Sequence, residues 1–177
     1  MSPHVYGMAE MIDYTFFDRE PLTSPKTMLF QTPYGMHGKH SNETNMMMAG
    51  QLPPPQRFAL NRIRAVLYHG DRNNLSLLPL SDPNWSRIRF DLVIGRKVYQ
   101  GGVLMSVADP MHFMPSEKPE DHDSIRPKFA YPLYIESGEW MGVEVYTEAP
   151  AENLYIEFYL DGGLQRGVLE RGPRLLR

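Results

Sequence analysis

The chain has 177 residues, a formal net charge of -3, 42% hydrophobic and 22% charged residues, and no cysteine. That balance excludes wholesale disorder, leaves no basic field to gather nucleic acid, so that any such contact would be local, and rules out disulfides and thiolate metal sites. No apolar run reaches the roughly 18 residues of a membrane-spanning helix, and 16 prolines and 14 glycines set among alternating apolar runs favour a single all-β domain with many turns.

Residues 1–52 are rich in Met, Pro, Gly, Asn and Thr and lack a sustained hydrophobic period. Their aromatics, Tyr6, Tyr14, Phe16, Phe17, Phe30 and Tyr34, are too many for a flexible linker. The segment is therefore predicted to be an extended N-terminal arm lying across another surface, with Phe16, Phe17 and Phe30 as candidate subunit contacts. Met46, Met47 and Met48 read as adaptable gap-filling side chains.

The triple proline at 53–55 marks the start of a body over residues 53–177. Residues 57–68 read as a long strand whose parity changes: Phe58 and Leu60 share one face, while Ile63, Ala65 and Leu67 share the other. A β-bulge near Asn61 and Arg62 would reconcile the two. Residues 69–74 form a turn cluster. Residues 86–94 alternate cleanly with Ile88, Phe90, Leu92 and Ile94 inward, and Gly95, Arg96 and Lys97 turn this strand into another over 98–107.

Residues 109–128 are dense in proline and charge and read as a long surface loop. A meander of two hairpins is expected next. Residues 129–136 turn at 137–139 into 140–147, and residues 153–160 turn at Asp161, Gly162 and Gly163 into 164–169. Within it Val143, Val145, Leu154, Ile156 and Phe158 alternate onto the core face. The chain ends in a tail that is basic and apolar together.

Motifs for catalysis are missing from the sequence. His37 and His40 lie close together without a third and fourth ligand, and His122 sits among acids in the charged loop without the glycine and spacing of a calcium loop. There is no Gly-x-Ser-x-Gly elbow and no phosphate-binding glycine signature. Glu136, Glu139 and Glu144 read as surface acids rather than a glycosidase pair. Arg57, Arg62, Arg64, Arg72, Arg87, Arg89, Arg96 and Lys97 form a local basic excess, expected to pair with acids such as Glu136, Glu144, Glu148, Glu152 and Glu157 within or between subunits. No enzymatic activity, cofactor, metal or small-molecule substrate is expected.

A proline-bounded arm, about eight strands joined by meanders and long loops, the segment from Asn45 to Phe58, residues 132–145 and the strand ending Tyr159, Leu160, Asp161, Gly162 together resemble a single jelly-roll capsid protein of a bacterial virus. The resemblance implies an all-β, jelly-roll-like sandwich of two four-stranded sheets, and a coat or capsid-decoration subunit assembling with copies of itself and other capsid proteins. It places the chain in the virion, soluble in the host cytoplasm before assembly, with no membrane span. Interface residues are expected on the loop, at Met111, Phe113, Glu120 and Asp121, facing the tail at Arg171, Arg174, Leu175, Leu176 and Arg177 across subunits. The alternative is a carbohydrate-binding sandwich in which exposed Trp140, Tyr155 and Tyr159 stack on sugar rings.

Overall fold

The computed structural model describes residues 10–109 and 128–166. Strands form where β-branched and aromatic residues alternate with polar ones, and they run in the order β1 (Glu10–Pro21), β2 (Lys26–Leu29), β3 (Arg57–Asp71), β4 (Asn74–Leu77), β5 (Arg89–Ile94), β6 (Lys97–Val103), β7 (Lys128–Ile135), β8 (Met141–Tyr146) and β9 (Leu154–Arg166). One short helix, α1 (Asn84–Arg87), precedes β5, and a single 3-10 turn, Leu104–Val107, follows β6. None of the helices among the described residues is long and apolar enough to cross a membrane.

All pairings between strands are antiparallel, and they build two sheets. The first has the order β1-β9-β3, with β7 pairing the beginning of β3 and β4 pairing its end; the second has the order β2-β8-β5-β6. With the β4 hairpin set aside, strands one, eight, three and six of the remaining set face strands two, seven, four and five. That is the jelly roll, in which each sheet takes strands from both halves of the chain.

The core follows from parity. Ile88, Phe90, Leu92, Val143, Val145, Leu154, Ile156 and Phe158, all placed inward by their alternation, are buried and belong to one cluster between the sheets. The bulge expected near Asn61 and Arg62 is present: the register of β3 against both β7 and β9 shifts between Leu60 and Arg62, so that Phe58 and Leu60 before it and Ile63, Ala65 and Leu67 after it all reach the core.

Three expectations are corrected. Residues 10–52 do not form an arm outside the sandwich. They supply β1 and β2, and Phe16, Leu22, Leu29, Phe30, Met46 and Leu52 join the core, because aromatics without a period of their own are buried by strands from the far end of the chain. The meander is also absent. β7 lies in the first sheet and β8 in the second, so residues 136–140 form a corner between sheets, and Asp161, Gly162 and Gly163 lie inside β9, which continues unbroken to Arg166. Finally, residues 84–87 are a helical turn that buries Trp85, whose indole N–H donates to the Pro79 carbonyl at 3.1 Å, so the strand begins only at Arg89.

Candidate functional site

The arginines of β3 are committed to acids of their own chain. Asp161 accepts from Thr15 at 2.8 Å, from Arg64 Nε at 2.6 Å and from Arg62 at 3.2 Å, and Arg64 also holds the buried Asp109. Desolvation works against the Asp161 carboxylate, yet the Arg64 guanidinium outweighs it and keeps the group below the ordinary range. Of the pairing expected from the sequence, the chain itself supplies Arg57 on Glu136 at 2.6 Å. The partners of Arg62, Arg64 and Arg72 are different from those anticipated, namely Asp161, Asp109 and Glu43.

Beside this network Tyr68, Glu157 and Tyr159 line up on the face of the first sheet away from the core, with Glu157 nearly sealed from solvent. Burial, and then the charge of Glu157, push the Tyr159 hydroxyl up to about 12 and raise that of Tyr68 in the same direction. Arg64 stacks over one face of Tyr159 at 4.7 Å. Trp140 lies at the corner before β8 and donates to Gln31 Oε1 at 3.1 Å. Trp140 and the two tyrosines therefore do not share a platform.

Sheet edges expose unpaired backbone groups, and this fold closes most of them. Along β1 the Asn45 side chain acts as a strand substitute, accepting from the Phe17 N–H at 2.9 Å and donating to the Thr15 carbonyl at 2.7 Å, while the Arg19 N–H donates to the Glu43 carbonyl at 2.8 Å. The free side of β3 is covered in turn by β7, by Ala108 opposite Ala65, and by β4. β7 carries exposed Tyr131 and Tyr134, but Pro132 between them has no N–H to offer, and Arg57 stacks on Tyr134 at 4.2 Å.

β6 is different. It is the outer strand of its sheet, and Val98 (60% exposed), Tyr99, Val103 and, just beyond it, Met105 all stand in solvent. Tyr99 is the extra residue where the β5–β6 register shifts, so it lies beside Val98 rather than across from it. The sequence carries a signal for this edge that the alternation reading passes over: Val98 and Tyr99 are adjacent and Gly101 and Gly102 follow, a pattern with no period of two and hence no buried face.

Of the interface residues expected from the sequence, Phe16 and Phe30 are buried in the core of their own chain, and Phe17 is half-buried against Tyr159 with ring centroids 6.4 Å apart. Met111, Phe113, Glu120, Asp121, Arg171, Arg174, Leu175, Leu176 and Arg177 lie outside the described residues. Among the described residues no group of three His, Asp or Glu side chains is placed to hold a metal ion, and His37 and His40 are both exposed on a loop.

That loop helps to enclose a polar cavity of about 240 Å³ lined by Arg19, Glu20, Pro21, Thr32, His37, Lys39, Glu43, Arg72 and Tyr155. Its floor is built from charge. Lys39, almost fully buried, binds Asp18 at 2.6 Å and also Glu20, while Arg72 grips Glu43 with both arms of its guanidinium. No local sequence pattern announces this cavity, because its walls come from β1, β9, the turn after β3 and the loop between β2 and β3.

Comparison of the chain with protein-family models, with curated proteins and with solved structures finds no match.

Proposed function

We propose that the chain is a structural subunit of a bacterial-virus shell, a coat or cement protein that works by burying surface against copies of itself. The observation that carries this reading is a jelly roll whose interior is filled and whose open edge is apolar. Trp85, Phe30, Phe58, Phe90 and Phe158 are fully buried between the sheets, where other proteins of this architecture hold a metal or a ligand. Arg57, Arg62, Arg64 and Arg72 are paired with acids of the same chain. Along β6 the apolar side chains of Val98, Tyr99 and Val103, with Met105 just beyond, stand together in solvent, and the partner that suits this edge is a second copy of the chain.

The bulge at Tyr99 spoils the ladder for regular strand addition, so contact here is through side chains rather than through a sheet continued across subunits. Light scattering and negative-stain microscopy of the full-length chain test the reading. Rings or shells built from many copies are expected, and Val98→Lys, at a position where a charge costs the monomer little, should reduce them to monomers with an unchanged melting temperature. A wild-type chain that stays monomeric at every concentration overturns the proposal, whereas assembly that survives Val98→Lys moves the interface away from β6.

The carbohydrate-binding alternative loses the shared platform on which it was drawn. Tyr155 alone among its aromatics lines a cavity.

A further inference from the structure

Within the cavity at the end of β1 the charged groups divide into those already satisfied and those still open. Lys39 is taken by Asp18 and Glu20, and Arg72 by Glu43, whose second oxygen also accepts from the His40 N–H at 2.9 Å. Arg19 is not so engaged. Among the described residues its guanidinium lies over the Tyr68 ring at 5.9 Å and its charge acts on Glu43, but its Nε is shielded from water and has no hydrogen-bond partner. A shielded donor left without an acceptor is costly, and a bound acceptor would relieve it.

Acceptors are open in the same cavity. Glu20 uses one oxygen on Lys39 and leaves the other without a hydrogen bond, and the hydroxyls of Thr32 and Tyr155 make no hydrogen bond among the described residues. A simple anion would meet Arg19 but be repelled by Glu20 and Glu43. A neutral polyol meets both kinds of group, since each hydroxyl donates to a carboxylate and accepts from a guanidinium. The Tyr155 ring and Pro21 add apolar wall, and a volume of about 240 Å³ limits the occupant to roughly one ring.

We propose that this cavity binds a single pyranose unit of a carbohydrate, with Arg19 and Glu20 reading adjacent hydroxyls and Tyr155 lying against the ring. The site is separate from β6 and does not depend on assembly. Because it is formed by one chain, every copy in an assembly would carry it, which would give a shell a repeated weak affinity for a glycan surface.

Saturation-transfer NMR on the full-length chain tests this, with the methyl pyranosides of glucose, galactose, mannose and N-acetylglucosamine as probes and inorganic phosphate as a separate arm. At least one pyranoside should bind with a dissociation constant on the order of millimolar, as fits a single small ring. Arg19→Gln and Tyr155→Ala should each weaken it at least about tenfold. Should either variant fail to melt like the wild type, Thr32→Ala and Tyr155→Phe, which remove only hydroxyls, carry the test through a smaller loss. Absence of binding by all four pyranosides, binding unchanged in all folded variants, or displacement of the sugar by phosphate at equal concentration would each overturn the proposal, the last in favour of an anion site.

Discussion

Asp18 has no exposed surface, yet it lies on β1, the outermost strand of its sheet, because the loop carrying Lys39, Glu43 and Thr44 folds over it. Burial pushes its carboxyl up to about 6, against the pull of Lys39 and the Phe30 amide. Glu43 on the same loop goes the other way, held at about 2 chiefly by the Arg72 guanidinium. The signs for stability are opposite. The folded chain keeps the Asp18 proton more tightly than the unfolded chain does, so this contribution is full below the ordinary 3.8 and is lost as pH rises through about 6. For Glu43 the folded chain gives up its proton more readily, so its contribution is present above the ordinary 4.5 and is lost as pH falls toward 2. Urea midpoints measured across this range should show stability falling on both sides. Asp18→Asn should flatten the limb between about pH 4 and 6, and Glu43→Gln the limb below about 4.5. A wild-type limb unchanged by its own substitution would mean that the assigned carboxylate is not the one titrating.

At the level of the element, β9 shows both what the sequence displays and what it hides. The alternation of Leu154, Ile156, Phe158 and Leu160 is a local property fixed by the pleat, and the structure keeps it without change. The Asp-Gly-Gly that follows has turn chemistry as well, but here a tertiary demand decides. Asp161 is the acid that Arg62 and Arg64 require, and Gly162 lies where the bulged β3 comes so close that an added Cβ would sit 2.1 Å from the Ala59 carbonyl oxygen. The bulge itself was legible, since a parity shift shows in one strand; its consequence for the partner strand was not, because that needs the register. Gly162→Ala should therefore cost about 1 to 3 kcal/mol, as overpacking against rigid backbone does. Gly163→Ala should cost less, since its new methyl would meet the Met11 thioether, sulfur at 2.8 Å, which can move aside. Chemical denaturation of the two variants decides the matter. Equal costs, or the reverse ranking, would mean that β9 separates from β3 at this point as easily as a turn would.

Across the described residues, the jelly roll joins the first strand to the last, with β1 paired along its full length to β9 and β2 to β8. The cavity on the outside of this closure was illegible in the sequence for the same reason, because Arg19, Lys39, Glu43, Arg72 and Tyr155 meet only once β1 has paired with β9. Such pairing also makes the early residues indispensable. Phe16, Leu22, Leu29, Phe30, Met46 and Leu52 are all buried in the common core, and losing them would expose Phe58, which packs edge-on against Phe16 at 4.9 Å, along with the whole outer edge of β9. Each large core side chain is worth about 2 to 5 kcal/mol, whereas a domain of this size is stable by only about 5 to 15 kcal/mol in total. Removing residues 1–52 should therefore abolish cooperative folding rather than leave a folded body that merely fails to assemble. Far-UV circular dichroism and a thermal melt of the truncated chain provide the check. A soluble 53–177 fragment with a sharp unfolding transition would show that β3 to β9 can close a core without β1 and β2, and the early residues would then be an arm after all.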